Sequence, residues 1–263
     1  FTANAGKVLP DIGCRGMFQG FVTMLSPRYT KTNMSAHMSP LGEDNIWRLI
    51  RQTVFGVNRL MKYLNDPRTF VDGEGNVDWL KQIKAFGAIH LMFADLLSMN
   101  CSIEPHQKIT VGFGFLDKLA NMKNAFSAVE RKEPDLFCEL LSLDQGKELN
   151  RLYQEHIGNV HPDLASEMID TADRSYKGFH EHLGDEDCTG KNTEAARLQR
   201  IRAFRNLSHG TFLRGDKFDH LFLQSEGTVP EEIATIPFLL MHGLIASPKA
   251  FLEYAPFNGP APG

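Results

Sequence analysis

Four arginines crowd into nine residues late in this chain, at positions 197, 200, 202 and 205, and a histidine follows at 209. The full segment reads Arg197-Leu198-Gln199-Arg200-Ile201-Arg202-Ala203-Phe204-Arg205-Asn206-Leu207-Ser208-His209-Gly210. A guanidinium stays charged at neutral pH and grips a phosphate with a planar fork of donors. An imidazole takes or gives a proton in the same pH range. RNA carries its own nucleophile, the 2′-hydroxyl. A base to activate it and a cation to stabilise the charged transition state suffice without a metal.

A helix must hold these groups together. At ~100° per residue, Ile201, Phe204 and Ser208 share one face, with Thr211 near it, and that face is the expected buried stripe. Arg202 and His209 then lie almost eclipsed, Arg205 and His209 are neighbours one turn apart, and Asn206 sits beside them. Thr193 suits the N-cap of this helix and Gly210 its C-terminal stop. A plainer reading uses the same residues. A histidine before a capping glycine complements the negative helix end, and the arginines pair with Glu194 or with the acidic run Asp185-Glu186-Asp187.

The segment Arg205-Asn206-Leu207-Ser208-His209-Gly210 resembles the Arg-Asn-x-x-x-His signature of the HEPN superfamily, over the last half of the chain. These are helical-bundle proteins, many of them metal-independent RNA endonucleases in toxin, antiviral defence and RNA-processing systems. The family separates Arg and His by four to six residues. Arg205 and His209 enclose three, while Arg202 and His209 enclose six but place Ala203 where a polar residue is usual. The resemblance implies that Arg202 or Arg205 binds the scissile phosphate, that His209 transfers protons and that Asn206 orients them. It also implies a homodimer acting on RNA, with no cofactor and no metal. Two alternatives use the same residues differently. One is a non-catalytic helical module that binds RNA or a protein partner. The other is a helical enzyme with a small-molecule or haem pocket lined from the ten Met, nineteen Phe and ten His.

Other chemistry finds no motif. There is no Gly-x-x-x-x-Gly-Lys-Ser/Thr loop, and Gly112-Phe113-Gly114 lacks the third glycine of a dinucleotide fingerprint. No histidine has Glu three residues before it, as a helical di-iron site requires. His180 and His182 point to different faces of a helix and read as a solvated helix end rather than a metal pair. His90, on an apolar face, reads as a hydrogen-bonded core histidine.

The elements that position these residues follow from periodicity. Trp47, Ile50, Val54, Val57, Met61 and Leu64 line one face of a helix from Asp44 that Asn65-Asp66-Pro67 stops. After a turn at 72–76, Leu80, Ile83, Phe86, His90, Ala94 and Leu97 repeat the pattern. Further helices are expected from about Phe115 to Arg131, after Pro134, from Gln145 to His156, and from Pro162 to about Leu183. Others are expected from Glu194 to His209 and after Pro230 and Pro248. The expected fold is an all-α, multi-helix bundle with at most a short β segment near residues 218–224. The expected division is an extended arm over 1–40, an N-terminal helical layer over 41–131 and a C-terminal bundle over 132–263. The last carries the Arg/His motif and can be continuous with 41–131.

Composition agrees. The 263 residues are 42% hydrophobic, enough for a real core, and the formal net charge of −4 excludes a globally basic nucleic-acid coat but not a local patch. The cysteines at 14, 101, 138 and 188 form no Cys-x-x-Cys pair and fit a reduced, cytoplasmic setting. The longest apolar run, Ala85 to Met99, carries His90 and Asp95 and falls short of the ~20 residues of a membrane span. The sequence opens on Phe1 rather than Met, so further residues are expected before it.

Overall fold

Asn65, Asp66 and Pro67 end the first described helix in the computed structural model as their types require. The structure describes residues 42–101, 105–126, 133–184 and 231–254. Helix α1 spans Gly42–Asn65. Asp66 then caps a short 3-10 turn, Pro67–Phe70, its carboxylate accepting from the Arg68 backbone N–H at 3.0 Å. The turn at 72–76 is tied by Asp72, whose Oδ1 accepts from the backbone N–H groups of Glu74 and Asn76. Gly75 supplies the positive φ that closes it. The single bridge Val71–Val77 is the only β pairing among the described residues.

Asp78 starts α2, Trp79–Cys101, by accepting from the Lys81 N–H at 2.9 Å. Helix α3 spans Pro105–Phe126 and begins ten residues earlier than its apolar spacing predicts. Proline suits its first position, and the cost of Gly112 inside it is offset where Met99 Cε lies 3.2 Å from the glycine's Cβ position. Helix α4, Glu133–Leu140, is followed by α5, Leu143–Tyr153, with Ser142 as N-cap. A π-helical turn, Gln154–Gly158, extends α5, and α6 spans Pro162–Gly184. Helix α7, Glu231–Ala246, holds Pro237 in its interior, and α8, Pro248–Glu253, opens on proline.

The architecture is thus an all-α bundle of eight described helices. Helix α7 lies in its middle, against α1, α3, α5, α6 and α8. Its buried side chains run from Thr235 to Ala246, and one hydrophobic cluster joins the apolar ones from Ile236 to Ile245 to residues from Leu60 through Phe179. Two glycines make the close approaches possible. A Cβ on Gly56 of α1 would stand 3.0 Å from the Ile245 carbonyl oxygen, and one on Gly243 would stand 2.3 Å from Leu149 Cδ2. Buried hydroxyls tie elements across the core. Tyr153 donates to Leu239 O at 2.6 Å and Tyr176 to Leu140 O at 2.8 Å, and burial pushes both phenols well above their ordinary pKa. No helix of the described residues is long and apolar enough to cross a membrane.

Two apolar faces differ from those expected. Among the α1 side chains described, those of 52–65, the buried positions are Thr53, Gly56, Leu60 and Leu64, with Val57 and Met61 at the margin and Val54 46% exposed. On α2 the predicted face mostly points outward, Phe86 alone of its six members packing against the core. Gln82, Ala85, Ile89, Met92, Leu96 and Met99 are buried, while Leu80, Ile83 and Leu97 are 61%, 67% and 48% exposed. His90 lies on that outward face and is exposed, not a core histidine. Helix α2 is apolar on both sides, so period alone could not select the side that meets α3. The arm over 1–40, the helix over 194–209 and the segment at 218–224 lie outside the described residues.

Candidate functional site

Arg202, Arg205, Asn206 and His209 also lie outside the described residues. Chemistry-bearing side chains do converge elsewhere, where α1, α7 and the π turn meet. Gln52, Gly56 and Arg59 share one face of α1, Ile245 and Ala246 come from the last turn of α7 and His242 from the turn before it, and His156 and Ile157 from the π turn. The missing Cβ of Gly56 lets α1 approach α7 closely enough to form the floor of this notch. π turns of this kind often occur at functional positions because they widen the backbone spiral and re-aim a side chain.

Arg59 Nη1 donates to the carbonyl oxygen of Ala246, at the C-terminus of α7. That helix has no basic residue in its own last turn, so Arg59 supplies the charge that its negative end favours. His242, one turn back, is 4% exposed. His156 is half-buried, and its pKa is held below the ordinary 6.5, by burial first and by the Arg59 cation second, with Glu155 opposing. The notch therefore brings the Arg59 guanidinium, the His156 and His242 imidazoles and the Gln52 amide to one small space. That space has a volume of about 10 Å³, room for one water-sized group and far short of a porphyrin. No cluster of three metal-ligating side chains occurs among the described residues.

A second polar cluster is buried between α3, α4, α5 and α8. Lys123 Nζ lies 3.1 Å from Glu139 Oε1, both side chains 2% exposed, and donates to Gln145 Oε1 at 3.2 Å. It also lies over the rings of Phe251 and Tyr254, at 5.2 and 5.5 Å. Burial raises the Tyr254 phenol first, and the carboxylates of Glu148, Asp144 and Glu139 raise it further. Gln145 Nε2 is buried there without a hydrogen-bond partner, and the remaining contacts tie the helices together rather than offering an open face.

His180 is 6% exposed rather than at a solvated helix end, and its Nε2 donates to the Leu141 carbonyl at 2.8 Å. It is a structural histidine joining α6 to the α4–α5 corner. Sequence reasoning missed Arg59, His156 and His242. The spacing of Gln52, Gly56 and Arg59 places them on one helical face, but nothing local links that face to histidines so much later in the chain. The chain matches no protein-family model, and no curated protein or solved structure shows a match to it.

Proposed function

We propose that this protein is a metal-independent RNA endonuclease of the HEPN-like type, acting in a cytoplasmic toxin, defence or RNA-processing role. The observation that carries the reading is the dense arginine segment closing on Arg205-Asn206-Leu207-Ser208-His209-Gly210 in an otherwise acidic chain. The all-α bundle agrees with the fold that the resemblance implies. Arg202 and Arg205 hold the scissile phosphate and stabilise its developing charge. His209 moves the proton of the 2′-hydroxyl, and Asn206 orients the pair. The test is cleavage of a mixed-sequence RNA in excess EDTA by the parent protein and by His209→Ala. The reading expects cleavage by the parent and its loss in the variant. Absence of cleavage by the parent, or equal cleavage by both, overturns it.

A second reading, a non-catalytic helical module that binds RNA or a protein partner, is favoured by the spacing of Arg205 and His209, which enclose three residues where the family has four to six. It expects RNA binding without turnover. Affinity that falls steeply with salt marks phosphate contacts, whereas a flat response marks a protein partner.

A further inference from the structure

Helix α2 is apolar on two opposite sides, and a helix of that kind is ordinarily covered on both. Its inner side packs on the core through Ile89, Met92 and Leu96, all at most 1% exposed. Its outer side runs through Leu80, Ile83, Gly87, His90, Ala94 and Leu97, all exposed. A Cβ at Gly87 would meet nothing within 4 Å. Trp79 and Leu91 flank the seam at 60% and 50% exposure. The exposed parts of its large apolar side chains amount to roughly 500 Å² on one helix, the size of the largest apolar patch on an ordinary monomer, which is often a functional surface. Two such strips pressed together bury about 1,000 Å², close to the lower edge of specific interfaces.

The seam also reads the same from either end. Its spacing is 3-4-3-4-3, so a second α2 laid antiparallel sets Leu80 opposite Leu97, Ile83 opposite Ala94 and Gly87 opposite His90. Large residues then face small ones twice over, and the ring of His90 enters the space left at Gly87. A parallel arrangement would stack Gly87 on Gly87 and leave a hole, set His90 against His90, and bring the two Lys84 side chains together at the rim. The antiparallel arrangement separates the lysines and opposes the helix dipoles favourably.

From this we infer that the outer face of α2 is a self-association surface that pairs antiparallel with the same face of a second copy of this chain. The inference does not rest on the ribonuclease reading. It is tested on the full chain by light scattering after gel filtration, with far-UV circular dichroism confirming that each variant is folded. The parent is expected at twice the chain mass. Ile83→Lys buries an unpaired ammonium at two places in the seam and is expected to weaken association by on the order of 100-fold, giving single-chain mass. Adding Ala94→Glu sets each new carboxylate opposite the partner's new lysine and is expected to restore the dimer, which a parallel pairing would not allow. His209→Ala is expected to leave the mass unchanged. A monomeric parent overturns the inference, including one whose α2 is shielded from hydrogen exchange by residues 1–40 of its own chain. So does a dimer that Ile83→Lys leaves intact, or a double variant that stays monomeric.

Discussion

At the scale of single residues, His156 shows how a site can form without a local sequence signal. It stands in a π turn between α5 and α6, and its neighbours Arg59 and His242 come from the first and seventh described helices. No window of sequence contains two of the three. By contrast, Asp66, Asp72, Ser142 and Pro162 act on backbone a few residues away, and their roles follow from their types alone. The environment of His156 has a thermodynamic consequence. Burial, the Arg59 cation and, more weakly, Arg151 disfavour its protonated form, against Glu155, while the unfolded chain titrates at the ordinary 6.5. Between the lowered value and 6.5 the unfolded state binds the extra proton, so stability falls as pH drops through that window. His156→Gln, which keeps a polar side chain but cannot titrate, is expected to flatten this dependence. Urea midpoints of both proteins at about pH 7.5 and about pH 5.5 measure it, and equal losses in parent and variant would remove His156 as the cause.

At the scale of elements, periodicity and punctuation located most helices but not which of their faces would be buried. The boundaries at Asn65 and Pro162 matched their local signals, and α4, α7 and α8 begin at or beside the prolines expected to open them. Helix α2 was found correctly but turned the wrong way, since an apolar stripe on each side gives the same period and only the partner helix decides between them. The buried pair Lys123–Glu139 lay outside any pattern for a related reason. Charges read as surface in a sequence, yet this pair pins α3 to α4 and, through Gln145 and the two rings, to α5 and α8. Removing one partner leaves the other charge buried and uncompensated. Glu139→Leu is expected to cost about 3–5 kcal/mol. The double variant Lys123→Met with Glu139→Leu removes both charges and is expected to recover most of that loss. Chemical denaturation of the two single variants and the double gives the coupling directly. Additive losses would show that the ion pair does not hold these helices.

At the scale of the whole molecule, the order of helices in the chain and their order in space disagree, and this disagreement sets how the fold can fail. Helices α1 to α6 come first in sequence, but the element that fills the space between α1, α3, α5 and α6 is α7, which begins only at Glu231. Ile236, Phe238, Leu239, Leu240, Met241, Leu244 and Ile245 are each at most 4% exposed. At ~1.5–3 kcal/mol for each buried side chain, their burial contributes on the order of 10–20 kcal/mol, as large as the whole net stability of an ordinary domain. The expected layer over 41–131 and bundle over 132–263, or their continuity as one domain, can be separated by experiment, and one core cluster contains residues of both ranges. A chain ended after Pro230 is expected to lose fixed tertiary packing throughout, residues 42–126 included. Near-UV circular dichroism should vanish while part of the far-UV helical signal persists, and the exposed faces of α1, α3 and α5 should bind a hydrophobic dye. Retention of native hydrogen-exchange protection across α2 and α3 would instead show that the N-terminal layer folds as a unit, with α7 merely docked against it.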